Sequence, residues 1–365
     1  MGPRARSAGR LAFGLAAVLI GLALPAAATP APAPMCRAGT AMVVVAHPDD
    51  DLLFLSPDLL HDIHRGQCVR TVYLTAGNAN RGASYWQRRE AGEKAAYARM
   101  AAVPNAWTRA DAGLPGHPIP VYTLAARPGI SLAFLRLPDG IPDGSGGSRN
   151  GFESLQKLWS GTIPAMHPVD GSSAYSRQEL VDALALLMAT FRADRIDVLD
   201  YAGAFGDGDH SDHHASAYFA RAAHRQYAVA HVLVGYLGYK ISALPVNVTG
   251  GDYAAKRDAY LAYAADDPAS CQTEQSCLSS RTGTWWSRQY QRDTETGGGT
   301  TPNQTVPGSL LRTGLSPDTA LIVRADPGAS AGPAGSCRRP PALAPTVPRS
   351  CAATRTSRTA SPSGA

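Results

Sequence analysis

The chain has 365 residues, 34 Lys and Arg against 29 Asp and Glu, and 44% hydrophobic residues, enough for a sizeable α/β core. Its net charge of +5 is not the footprint of a nucleic-acid binder. Arg4, Arg6 and Arg10 lie at one end and Arg338, Arg339, Arg349, Arg355 and Arg358 at the other, leaving a body close to neutral.

Residues 1–28 read as a Sec-type signal peptide. Three arginines precede an apolar run from Leu11 to Leu24, too short to span a bilayer comfortably, and Ala26-Ala27-Ala28 offers a cleavage site. A retained membrane anchor is the alternative; no later segment is apolar enough to cross a membrane. Residues 29–35 form a Pro/Ala linker, and residues 36–325 the folded domain. Strand-like runs at 41–46, 69–74, 131–137, 195–199 and 231–237 alternate with helix-like stretches at 52–65, 85–102, 177–191, 212–227 and 253–264. This alternation predicts an α/β fold, a Rossmann-like three-layer sandwich with a mostly parallel sheet. Ser176 is the expected N-cap of the third helix. The Gly/Ser-rich run 143–150 reads as a mobile loop, Trp285, Trp286 and Tyr290 as a possible small subdomain, and residues 326–365 as a low-complexity, disordered tail.

Export makes the six cysteines legible as disulfides. Cys36 and Cys68 each precede a strand, and neighbouring parallel strands bring them together. The most economical remaining pairs are Cys271–Cys277 and Cys337–Cys351.

Two clusters carry the chemistry. Val43-Val44-Val45 delivers Ala46-His47-Pro48-Asp49-Asp50-Asp51, and a later strand delivers Asp209-His210-Ser211-Asp212-His213-His214. Loops after the carboxyl ends of parallel strands are where α/β proteins bind ligands. His47 and Asp50, three apart in a turn, can converge on one divalent ion while Asp49 points elsewhere. Charged groups rarely gather in this way without pairing or a metal.

The two clusters resemble those of the PIG-L/LmbE-like family of zinc-dependent de-N-acetylases. That family carries Ala-His-Pro-Asp-Asp-Glu after its first strand and His-Pro-Asp-His before a later helix. This chain has Asp51 for the final Glu and Ser211 for the Pro. Arg88-Arg89-Glu90 looks like the family's Arg-x-Glu element and Leu137-Pro138-Asp139-Gly140 like its Pro-Asp-Gly turn. The resemblance runs from about Met42 to about Tyr263.

It implies His47, Asp50 and His213 as ligands of Zn2+, with Fe2+ or Co2+ as substitutes; His214 is the competing register for His213. It further implies Asp49 as general base, a protonated His210 as oxyanion partner held by Asp212, and Arg88 and Asp139 as sugar-binding residues. The implied activity is removal of acetyl from an N-acetylglucosamine-containing glycoconjugate or other small sugar-bearing metabolite outside the cell. Hydrolysis of another acyl group and a non-catalytic sugar-binding protein with a structural metal are the alternatives. The family often has Tyr just before the second motif, where this chain has Phe205; Tyr201 is the candidate substitute.

Overall fold

The computed structural model describes Gly2, Cys36 and residues 38–299. The expected signal peptide, linker, tail and Cys337–Cys351 bond lie outside the described residues.

The first strand, β1 (Thr40–Val45), is buried at every position but Thr40. A continuous apolar run of this kind suits a central parallel strand covered on both faces. The expected helix at 52–65 is instead two helices, α1 (Asp50–Phe54) and α2 (Asp58–Arg65). Pro57 divides them, because proline has no N–H for the helical ladder and disfavours the α conformation at Ser56 before it. Next come β2 (Cys68–Thr75), α3 (Ala83–Met100), β3 (Trp107–Asp111), β4 (Pro120–Leu124) and β5 (Ile130–Leu137). A short α4 (Leu155–Ser160) and the two-residue strands β6 (Ala165–Met166) and β7 (Tyr175–Ser176) precede α5 (Arg177–Phe191). Ser176 caps α5 as expected, its hydroxyl accepting from Glu179 N while the Glu179 side chain returns to Ser176 N. The remainder is β8 (Arg195–Val198), α6 (Ser211–His224), β9 (His231–Tyr236), α7 (Gly250–Ala264), α8 (Glu274–Leu278), α9 (Arg281–Trp286) and β10 (Gln291–Gly297).

Eight strands form one sheet in the order β10-β9-β8-β1-β2-β5-β4-β3. The central strands β9, β8, β1, β2 and β5 are parallel. β10 at one edge, and β4 and β3 at the other, add antiparallel. Helices α2, α3 and α7 pack together, as do α4, α5 and α6, giving a Rossmann-like three-layer α/β fold. The chain runs outward from β1 through β2 to β5, then returns to lay β8 on the other flank of β1. The crevice between the carboxyl ends of β1 and β8 is therefore a topological switch point.

Two expectations are corrected. Run 143–150 is bonded into the fold: Arg149 N donates to Asn80 Oδ1 (2.8 Å), and Ser154 Oγ donates to Gly144 O (2.7 Å). Trp285 and Trp286 belong to the main core and not to a subdomain, packing against Phe54 (5.2 Å between rings) and Tyr260 (5.6 Å). Disulfides join Cys36 to Cys68 and Cys271 to Cys277. Among the described residues no helix is long and apolar enough to cross a membrane.

Candidate metal centre

Three strand ends supply the site. The turn after β1 presents His47, Asp49 and Asp50, the turn after β5 presents Asp139, and the start of α6 after β8 presents His210, Asp212 and His213. All but Asp49 are buried. His47, Asp50 and His213 each offer a ligand atom within 4.8 Å of the others'. His47 Nδ1 lies 3.3 Å from Asp50 Oδ2, and His213 Nε2 lies 3.0 Å from Asp50 Oδ1. The turn is shaped by its own backbone: His47 N donates to Asp50 Oδ2 (2.7 Å), which aims the carboxylate inward.

The donor set fits a divalent ion. His213 Nε2 is buried and, despite its closeness to Asp50, has no hydrogen-bond partner. An orphaned buried nitrogen of this kind is a desolvation cost unless something else meets it. The outer nitrogens of both imidazoles are met by carboxylates. His213 Nδ1 is 2.8 Å from Asp209 Oδ1, and His47 Nε2 is 3.3 Å from Asp212 Oδ2. Carboxylate–histidine pairs fix the tautomer and ring plane of metal-ligating histidines. Gly238 permits the first pair, because a Cβ there would stand 2.4 Å from Asp209 Oδ2 and 2.8 Å from His213 Nδ1.

Asp49 sits beside this group with φ of 107°, a left-handed backbone that costs a non-glycine residue about 1–3 kcal/mol. Its Oδ1 lies 2.9 Å from Arg89 Nη2. Desolvation of its half-buried carboxyl outweighs that guanidinium and pushes Asp49 up to about 7. Arg89 is itself fixed by Gly77 O (2.7 Å), the Pro48 carbonyl and the Tyr263 hydroxyl (2.6 Å). Arg88, the expected substrate residue, is exposed on α3, and the arginine that reaches the cavity is its neighbour. Helical spacing carried that signal: Arg89 falls four residues after Tyr85 and four before Glu93, both buried, so its side chain turns inward.

The expected side-chain contact between Asp212 and His210 is not made. Asp212 Oδ2 accepts from Gly140 N (2.7 Å) and faces His47, while His210 Nδ1 accepts from Asp212 N (3.1 Å) as the N-cap of α6. That acceptor role places the proton of a neutral His210 on Nε2. Burial and the neighbouring His47 and His213 hold its pKa well below the usual histidine range, against the expected protonated form. Asp139 is aimed by the turn after β2: its backbone N donates to Asn78 Oδ1 (2.9 Å), and Ala79 N donates to its Oδ2 (3.3 Å). Its carboxylate lies 4.0 Å from His47 Nε2 and 3.9 Å from His210 Nε2.

His214 turns away from the cavity, with Nδ1 on Asp200 O (2.8 Å) and Nε2 on Asp207 Oδ1 (2.9 Å). Asp51 accepts from the Tyr73 and Tyr97 hydroxyls behind the site (2.9 and 2.6 Å). Tyr201 does not reach the site; it lines a separate cleft with Trp159 and Tyr218. The tyrosine that lines the cavity is Tyr239, just after β9, and Trp285, Phe54 and Leu53 line it together with Arg89, Asp49 and Asp139. Sequence reasoning missed Tyr239, Trp285, Asp209 and Asn78 as site residues.

Residues 42–224 match the family described as PIG-L: GlcNAc-PI de-N-acetylase. No curated protein matches the chain. Among solved structures, one similar to it is GalB, the 4-carboxy-2-hydroxymuconate hydratase of Pseudomonas putida. The identity is 13%, the TM-score 0.36, and the match covers 62% of this chain and 83% of that one. Another is a conserved protein of Thermus thermophilus, with 16% identity, a TM-score of 0.36, and 61% and 78% coverage. Both are too distant to bear on function. The family match spans half of the chain and contains both His/Asp clusters, and the chain belongs to the PIG-L family.

Proposed function

We propose that this protein is an exported, zinc-dependent de-N-acetylase that hydrolyses the acetamide of an N-acetylglucosamine-containing glycoconjugate. The observation that carries the reading is the ion-sized gap bounded by His47 Nδ1, Asp50 and the orphaned His213 Nε2, with an unligated carboxylate, Asp49, at its edge. A structural metal needs no spare carboxylate with a raised pKa; a hydrolase does.

His47, Asp50 and His213 would hold the ion, with mixed nitrogen and oxygen donors suiting Zn2+ and accommodating Fe2+ or Co2+. When bound, it supplies Lewis acidity toward the amide carbonyl and makes water acidic enough to attack at neutral pH. Asp49 takes the proton of the attacking water as the new C–O bond forms. The same carboxyl returns a proton to the nitrogen as the C–N bond breaks, releasing acetate and a free amine. Arg89 holds Asp49 in place for both transfers. His210, neutral with its proton on Nε2, donates a hydrogen bond to the oxygen that gains charge. Asp139 accepts from a sugar hydroxyl.

Two disulfides in the described residues support an oxidising compartment. The test is release of free amine from N-acetylglucosaminides by metal-loaded protein. Activity abolished by chelation supports the reading, and a metal-loaded protein that releases no amine from any N-acetylated sugar contradicts it.

A further inference from the structure

The cavity over the metal site is small, about 120 Å³. Pockets that enclose a whole ligand of drug size run to roughly 300–1,000 Å³. A cavity of that size is too small to enclose a whole N-acetylated sugar, so on the de-N-acetylase reading the residues around its mouth would meet the remainder of the substrate.

The apolar side of the rim is a built platform. Tyr239 and Trp285 stack with ring centroids 5.0 Å apart and planes 10° from parallel. Phe54 supports both, 6.0 and 5.2 Å away. Trp285 Nε1 donates to Tyr239 O (3.4 Å), tying α9 to the turn after β9. Over this pair lies Arg281, its guanidinium carbon 5.2 Å from the Tyr239 ring and 5.7 Å from the Trp285 ring. Arg281 is exposed and makes no ion pair among the described residues. Tyr85, whose ring lies 6.0 Å from the Arg89 guanidinium carbon, carries Arg81 at 4.5 Å, but neither Tyr85 nor Arg81 lines the cavity.

Arg281 contrasts with the guanidiniums that hold the fold together. Arg89, Arg136, Arg195 and Arg292 all meet carboxylates. An exposed guanidinium beside aromatic rings and without a carboxylate partner keeps N–H groups free for a carboxylate or a phosphate, which a guanidinium grips through two parallel bonds. In the cavity, by contrast, Arg89 is already paired with Asp49, which leaves Arg281 as the guanidinium beside the aromatic lining that is unpaired among the described residues.

We propose that the substrate is an acidic N-acetylated sugar, and that Arg281 beside the Tyr239–Trp285 pair is the specificity residue that reads the anionic group. The inference rests on the de-N-acetylase reading and adds to it the charge of the substrate. Carboxylate and phosphate share the recognising chemistry, and the probes separate them.

The experiment uses the full-length protein with three probes: the methyl glycosides of N-acetylglucosamine and N-acetylmuramic acid, and N-acetylglucosamine 6-phosphate. Deacetylation kinetics and calorimetric binding are measured side by side, the latter on metal-free protein. At least one acidic probe should exceed the neutral one by about tenfold or more in kcat/KM, chiefly through KM. Arg281→Gln should reduce that ratio to near one, Arg281→Lys should retain part of it, and raised salt should shrink it. Preference for the carboxylate or for the phosphate probe names the group. Equal handling of neutral and acidic probes by wild type, or a ratio that survives Arg281→Gln, overturns the proposal. If no probe is deacetylated, the hydrolytic reading fails. Calorimetry then still decides this proposal: tighter acidic binding lost in Arg281→Gln upholds it, and indifference overturns it.

Discussion

Replacing Asp49 by Asn isolates the proton-transfer step from everything else the site does. The amide has nearly the shape of the carboxylate, and Asn tolerates a left-handed backbone such as the φ of 107° at this position. The Arg89 charge is not left uncompensated, because Asp267 Oδ2 remains 3.2 Å from Arg89 Nε. Metal binding should be unchanged, since Asp49 is not among the three grouped donors. What is lost is a base that accepts the proton of water, worth roughly 10²–10⁴ in turnover, or about 3–5 kcal/mol of barrier at 1.36 kcal/mol per tenfold. The assay is free-amine release with metal content measured on the same preparation. In wild type the acid limb of the pH–rate profile should fall at or below about 7, where desolvation has pushed the Asp49 carboxyl and a nearby cation lowers it. That limb should move in the Asn variant. A variant that holds its metal and turns over at the wild-type rate, with the same limb, would refute Asp49 as the base.

Three further outcomes follow from the geometry. His213→Ala should abolish stoichiometric metal binding while His214→Ala retains it, because His214 is spent on Asp200 and Asp207; elemental analysis giving the reverse would move the ligand by one residue. Arg89→Ala should destabilise the fold by about 3–5 kcal/mol, stranding buried carboxylates, whereas exposed Arg88→Ala should stay within about 0.5 kcal/mol; equal denaturation midpoints would contradict the burial assignment. In metal-free protein burial lowers the His213 pKa, but Asp50 and Asp209 more than offset this and bring it to about 10. A folded pKa above the unfolded value of roughly 6.5 gives stability that is full below that pH and lost as pH rises toward 10. Tm of chelated wild type should therefore fall between pH 6 and pH 10 by more than that of His213→Gln, and equal slopes would remove the assignment.

What was legible in the sequence was whatever sat in one short segment. His47 and Asp50 share a turn, so their spacing alone suggested convergence, whereas His213 as the third ligand came from the family resemblance of the second cluster. The five parallel strands were legible because burial on both faces favours short, largely apolar and β-branched runs, even where Arg70, Arg195 and Asp197 interrupt them. The edge strands were not, since β3 and β10 are largely exposed and carry no periodic signal. The division of the first helix was written in Pro57 but masked by apolar residues on both sides of it. Choosing Arg88 over Arg89 was a register error that the buried spacing of Tyr85 and Glu93 resolves. Tyr239 and Trp285 could not have been paired from sequence: they come from different elements, and only the fold stacks them. The Asp212 role failed for a related reason. Proximity in sequence to His210 suggested a partner, while the helix geometry turned the side chain toward His47 and left only the backbone N–H for His210.

The most direct test of the account is a titration of Zn2+ into metal-free protein with bound metal and free-amine release from an N-acetylglucosaminide read on the same samples. Activity should rise linearly with occupancy and saturate at one ion per chain, and chelation should return both to zero. Deacetylation that persists in metal-free protein, or a fully occupied site that releases no amine, would contradict a catalytic metal at His47, Asp50 and His213.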